Sequence, residues 1–424
     1  MKVFTNIKII FLLLFCFSLN GIVSAAEMRT WTNLKGQKIK AQLLDVDGDY
    51  VRIRLENGRD SRVPRKTLSI GDQKYLEEYG GAEKGGFDPK AKITVPEKEM
   101  KFDSKTLKKR DDKFELPDGY SLEFDVIESE HFLVMSSGNV KGKDTAELAE
   151  RLWYGMNFQH PGFADKWGDE KKAIFLCGET TDYEILGKYY VDLLANSGRA
   201  QDASNTAKTW PLSSGAGMSL DGDTCDKYNL MRGARAFRAD DKRRFKRGVW
   251  NPFPAHCIAQ DVLNVQMGGA GGGAGSDGYF AISTGHGYYK EIQLTDETVT
   301  SLLDANTYES DEVVKSGGFD DGRKWARTLR DLVKKEKVTP SIAELYRINR
   351  PTQLTPELTV LMYGFARYMQ STPERISKFS KFMERVDTGR SIPVPAELAK
   401  LFGFETQKEF EDDWINYLKS TAFK

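Results

Sequence analysis

Hydrophobic and polar residues alternate most cleanly over residues 50–55, where Val51, Ile53 and Leu55 are separated by Tyr50, Arg52 and Arg54. A period of two is that of a strand with one buried face. Residues 39–46 read as its neighbour, joined through Asp47-Gly48-Asp49, and a second turn follows at Glu56-Asn57-Gly58. Beyond Arg62-Val63-Pro64 come Leu68-Ser69 and a short helix over 72–79, which Ser69 or Asp72 can cap. Residues 29–79 therefore predict a small, compact β domain. Its outward face is basic and aromatic, and Trp31, Tyr50, Arg52 and Arg54 are its candidate binding residues.

The pattern then changes. Residues 80–113 carry Gly80-Gly81, Gly85-Gly86, Pro89, Pro96 and the basic run Lys108-Lys109-Arg110, with few large apolar side chains. This composition predicts a linker whose charges are solvated. From 114 to 424 strands and helices mix. Residues 124–127 and 131–135 read as neighbouring strands, 145–158 as a helix and 172–177 as another strand. Apolar spacings of three and four predict helices over 325–335, 356–369, 375–386 and 407–420. The fold class is thus α+β, a small β domain followed by a larger mixed domain with a helical C-terminal part.

Two segments stand outside this pattern. Residues 268–278 hold seven glycines in eleven positions and predict a loop. They lack the Gly-Lys-Ser/Thr ending of a phosphate-binding loop. Residues 232–247 hold eight lysines and arginines against Asp240 and Asp241. This reads as a solvated helix face, with docking of an acidic partner as the sharper alternative.

Composition narrows the function. Lys+Arg and Asp+Glu both number 62, so the formal net charge is zero. A general nucleic-acid binder gains affinity from neutralised phosphates and needs a basic excess. Lys2 and Lys8, the apolar residues 9–17 and the small-residue site Val23-Ser24-Ala25 read as an export signal over residues 1–25. That places the chain in the periplasm, at the cell surface or in the medium. Phe15 before Cys16 does not suit lipid attachment, and no segment offers the roughly 20 apolar residues of a spanning helix. Cys177, Cys225 and Cys257 allow either one disulfide with a leftover thiol or three buried thiols. Oligomeric state leaves no mark in the pattern.

The N-terminal unit resembles the Sla homology domain of type one. The likeness rests on Arg29-Thr30-Trp31-Thr32, Gly36, the turn and strand over 47–51, Asn57-Gly58, Val63-Pro64, Leu68-Ser69 and Asp72. That family is a small barrel of the Src-homology-3 kind, which in fungal endocytic adaptors reads peptides containing Asn-Pro-Phe-x-Asp, and exported bacterial proteins carry related copies. The resemblance implies a protein or peptide ligand. The chain's own Asn251-Pro252-Phe253-Pro254-Ala255 has Ala255 at the acidic position and reads as coincidence.

The larger domain resembles the thermolysin-like zinc peptidases, the gluzincins, and the resemblance implies a zincin-like fold. It rests on Glu130-His131-Phe132-Leu133-Val134 with the helix that follows, on residues 255–267 and on residues 283–291, with Leu401-Phe402-Gly403-Phe404 and the helix of Trp414 as weaker support. Such enzymes need two histidines four apart on one helix face and a glutamate beside the first. Here His256 is followed by Cys257 at the general-base position and Gln260 at the second histidine position, and Thr284 occupies the third-ligand position. Three ligands normally hold catalytic zinc. The resemblance therefore implies a scaffold without its reaction and without a cofactor: an exported, non-catalytic binding or adaptor protein. Two alternatives remain. One is a zinc- or thiol-dependent hydrolase with a rearranged site around His256, Cys257 and His286. The other is a structural or self-associating surface protein.

Overall fold

The computed structural model describes residues 28–47, 50–57, 59–79, 102–117, 119–160, 162–242, 244–269, 277–298 and 321–424. The proposed export signal, the residues Gly48-Asp49 and Gly58 of the two turns, the first part of the expected linker and the centre of the glycine-rich segment lie outside the described residues, as does the side chain of Arg52.

The N-terminal unit is a four-stranded antiparallel meander, β1 (Met28–Thr32), β2 (Lys38–Asp47), β3 (Tyr50–Leu55) and β4 (Asp60–Pro64), followed by helix α1 (Ile70–Tyr79). Asn33 bridges Leu68, which ties the end of β1 to the chain beyond β4 and curls the sheet. Val51 and Ile53 are buried as the alternation requires, and with Trp31, Ala41, Leu68 and Leu76 they form a separate small core. At the start of α1, Ser69 Oγ accepts from the Asp72 backbone N–H at 3.0 Å. The expected cap is therefore present.

The larger domain begins earlier than the composition suggested. Lys108-Lys109 is strand β5, paired with Glu128-Ile127 of β7 (Glu123–Glu128), which also receives the short strand β6 (Phe114–Glu115). The run read as a solvated tether is an edge strand, where lysines are at home because they discourage further pairing. The sheet continues through β8 (Phe132–Ser136), β9 (Lys171–Cys177) and β11 (Leu230–Arg238) to the edge strand β10 (Gly215–Ser219). Strands β8, β9 and β11 are parallel, and β7 and β10 run against them.

Parallel strands need crossovers, and helices supply them: α2 (Lys143–Gln159) and α3 (Phe163–Trp167), then α4 (Thr180–Asn196), α5 (Ala200–Thr209) and α6 (Gly222–Tyr228). Both faces of the sheet are covered. Phe132, Val134, Ile174 and Leu176 face the main core, while Leu133, Met135, Ala173 and Phe175 face a second one. This explains the near-continuous apolar runs in β8 and β9.

After β11 the chain is helical among the described residues: α7 (Pro252–Gln266), α8 (Tyr279–Thr295), α9 (Gly322–Lys334), α10 (Ile342–Tyr346), α11 (Pro356–Met369), α12 (Pro373–Gly389), α13 (Pro395–Leu401) and α14 (Gln407–Lys419). Helix starts follow the sequence closely here. Thr355 and Thr372 each cap a helix that opens on proline, and Thr406 with Glu409 forms a capping box. No described helix is long and apolar enough to cross a membrane. Cys177, Cys225 and Cys257 are three buried free thiols, the second of the two cysteine readings.

Candidate functional site

Helix α7 starts where Asn251 closes a loop, its side chain accepting from Lys246 N at 2.7 Å and donating to Lys246 O at 3.0 Å. Pro252 suits the first helical turn. Phe253 is buried in that turn, so the Asn-Pro-Phe segment is part of the core and not a free peptide. Four residues on, His256 turns toward α8. Its Nδ1 lies 3.2 Å from Glu291 Oε2, although the angle does not satisfy a hydrogen bond, and its ring meets Tyr288 edge-on at 4.5 Å. The other edge of the imidazole rests on Gly287, where a Cβ would come within 2.7 Å of Nε2.

The helices of His256 and Thr284 are therefore neighbours. Thr284 is fully buried in α8 and Gln260 is half-buried on α7. Burial depresses the His256 pKa to about 3, helped by Arg235, and leaves the imidazole neutral. Burial also drives the Glu291 carboxyl well above its usual range, which favours its neutral form. The Cys257 thiol is pushed up to about 12 by burial, against the opposing field of Arg235, and carries no thiolate character at neutral pH. His286 points elsewhere: its ring stacks on Phe379, and Nδ1 is 3.3 Å from Gln370 Nε2. Among the described residues no group of three His, Cys, Asp or Glu side chains has a geometry that could hold a metal ion.

Glu291 escaped the sequence reading as a partner of His256 because the two lie 35 positions apart on different helices. Arg235 was misread in a different way. The stretch 232–238 is not a helix but most of strand β11, and Arg235 reaches inward to Asp261 of α7 through Nε–Oδ2 (2.9 Å) and Nη2–Oδ1 (2.5 Å). Burial works to raise the Asp261 pKa, but Arg235 and Lys172 hold it below the usual value. A forked pair of this kind fixes strand against helix.

On the N-terminal unit the four candidate residues divide. Trp31 is core, 1% exposed, with Nε1 donating to Ala41 O at 2.9 Å. It does not belong to the contact face: residue 31 sits on the buried side of β1. Tyr50 and Arg54 are exposed, and Arg62 lies 4.2 Å above the Tyr50 ring. Tyr50, Arg54 and Arg62 thus form the open face.

Another part of the unit's surface rests on the larger domain. Lys38 sits 4.2 Å over the Trp153 ring of α2, and Trp153 is stacked on His131 at 3.4 Å. His131 Nδ1 is 2.7 Å from Glu150 Oε2, and the Tyr154 hydroxyl bonds Glu130. Burial lowers the Lys38 pKa, with Glu130 and Glu150 opposing the shift. Gly36 lies against Tyr154, and Lys74 Nζ donates to Ser377 Oγ at 2.5 Å. One lysine entering an aromatic and acidic socket, with a glycine turn beside it, mounts the small unit on α2.

Residues 23–84 match the family model for SLA1 homology domain 1 (SHD1). Comparison with curated proteins and comparison with solved structures found no match. The curled sheet, its tryptophan core and this family match together identify the N-terminal unit as an SLA1 homology domain 1, a kind of domain that points to protein binding.

Proposed function

We propose that this chain is an exported, non-catalytic binding protein, in which an SLA1 homology domain takes a peptide or protein and a peptidase-like domain serves as its rigid scaffold. Export is supported by the apolar residues 9–17 and the small-residue site Val23-Ser24-Ala25. The open face of Tyr50, Arg54 and Arg62 is the proposed contact surface for the ligand.

One observation carries the non-catalytic reading. His256 has both edges of its imidazole against α8, one at Glu291 and one at Gly287, while Cys257, Gln260 and Thr284 stand at the other motif positions. A histidine packed in this way acts as a brace between two helices. Catalytic zinc normally takes three protein ligands and keeps an open position for water. The peptidase reading rests on the sequence positions of His256 and Thr284, whose helices α7 and α8 pack side by side.

The test is elemental analysis of the protein purified without chelator, before and after incubation with zinc. We expect less than about one tenth of an equivalent retained, because functional sites keep their metal through purification. Near-stoichiometric zinc that disappears in His256→Ala would overturn the reading and favour a hydrolase with a rearranged site.

A further inference from the structure

The basic stretch 232–247 splits in the fold. Its first half forms β11, and its second half becomes a loop that walls a crevice of about 950 Å³. This crevice lies outside the carboxyl ends of the three parallel strands. Its lining comes from the segments after each of them: Asn139 to Lys141 after β8, Gly178 and Glu179 after β9, and Ala239 onward after β11. Ligands of open α/β sheets sit at this edge, because the loops there diverge while the strands hold them in register. A volume of this size suits a small organic molecule and exceeds what a bare ion fills.

The chemistry of the walls is specific. Val140, Leu176, Ala239 and Phe245 provide apolar surface. Lys141, Lys242, Lys246 and Arg247 bring four cations, and Asp144, Glu179 and Asp240 bring three carboxylates. Of the carboxylates, Asp240 is committed, while Glu179 makes no side-chain cap bond at the start of α4. Asp240 accepts from Thr180 Oγ1 at 2.7 Å and lies 3.3 Å from Arg238 Nε, and Asp144 sits in the first turn of α2, where it complements the helix dipole. The cations are less committed than Asp240. Among the described residues Arg247 donates only to the Asn139 carbonyl, and Lys246 meets Glu297 at 3.4 Å on an exposed rim. Lys141 and Lys242 have no ion-pair partner among the described residues, and both are exposed.

We propose that this crevice binds a phosphate monoester carried on an apolar or aromatic body. The free lysines take the dianion, and the apolar wall formed by Val140, Leu176 and Phe245 takes the body. This ligand is separate from the peptide of the N-terminal unit and needs no contribution from His256.

Phenyl phosphate titrated calorimetrically into the full chain at constant ionic strength tests the proposal, with inorganic phosphate as a second titrant. We expect saturable single-site binding, tighter for phenyl phosphate than for inorganic phosphate. The double variant Lys141→Ala/Lys242→Ala should weaken it about 10-fold or more, as loss of charged hydrogen bonds does. Lys408→Ala/Lys419→Ala removes the same charge from α14 and should leave binding unchanged. All four lysines lie on the surface, so these variants fold. Absence of binding, equal affinity for the two titrants, an unaffected crevice variant or an equal loss in the α14 variant would each overturn the proposal.

Discussion

At the scale of single residues, the chain buries groups that prefer to be charged and leaves them neutral. His160 and His256 are depressed to about 3 by burial, and His286 lies well below its usual 6.5 for the same reason. The unfolded chain takes up these protons below about pH 6.5 while the folded one does not, so stability falls as pH falls from 6.5 toward 3. Glu291 has the opposite sign. Its folded pKa is raised, so the stabilising proton is lost first by the unfolded chain, and stability declines as pH rises above about 4.5 toward the folded value. Glu291→Gln keeps the neutral shape and removes the titration. Chemical denaturation at pH 5, 6 and 7 should show a steeper loss of stability toward acid in the variant, by up to about 1.4 kcal/mol per pH unit, because the opposing Glu291 titration above about 4.5 is gone. An identical pH dependence in the variant would mean that Glu291 ionises inside the fold. None of this could be read from the sequence, since a glutamate in residues 283–291 looks the same whether it faces water or a histidine.

At the scale of elements, α8 is the pivot of the larger domain. It touches α7, α10 and α11, and thirteen of its residues are buried, so it shows no polar face for a period of three and four to reveal. Its glycines permit that packing. At Gly285 a Cβ would collide with the Met362 carbonyl oxygen of α11, a backbone atom that a rotamer change cannot relieve. Gly285→Ala should therefore lower stability by about 1–3 kcal/mol despite alanine's better helix propensity, seen as a lower urea midpoint. Gly222→Ala, whose nearest foreign atom would be the end of Arg232 at 3.8 Å, should stay within about 0.5 kcal/mol. The helices α11, α12 and α14 were legible because threonine caps, prolines and one polar face mark them. Strands β10 and β11 were not, because glycines and arginines in them answer to tertiary partners such as Asp261.

At the scale of the whole molecule, the contact between the two parts decides how the N-terminal unit works. Lys38 in the socket of Trp153, His131 and Glu150 holds one side, and the Tyr50 face remains open. Lys38→Ala should release the unit without unfolding it, because the small core of Trp31, Val51, Ile53 and Leu76 does not include Lys38. Small-angle scattering should then show a larger radius of gyration with an unchanged melting transition for the larger domain; an unchanged radius would mean that Gly36 and Lys74 suffice. What the sequence by itself determined is local: the alternation of β3, the cap at Ser69 and the helix starts near the C terminus. These depend on neighbours within a few residues, and local backbone physics is written in local order. Tertiary structure alone decided that Trp31 is core, that Arg235 is an internal ion pair, that His256 braces α8, and that a basic loop meets two others around a crevice. Each of these depends on which distant residue burial brings near, and the desolvation that follows sets whether a side chain is a contact, a charge or a strut.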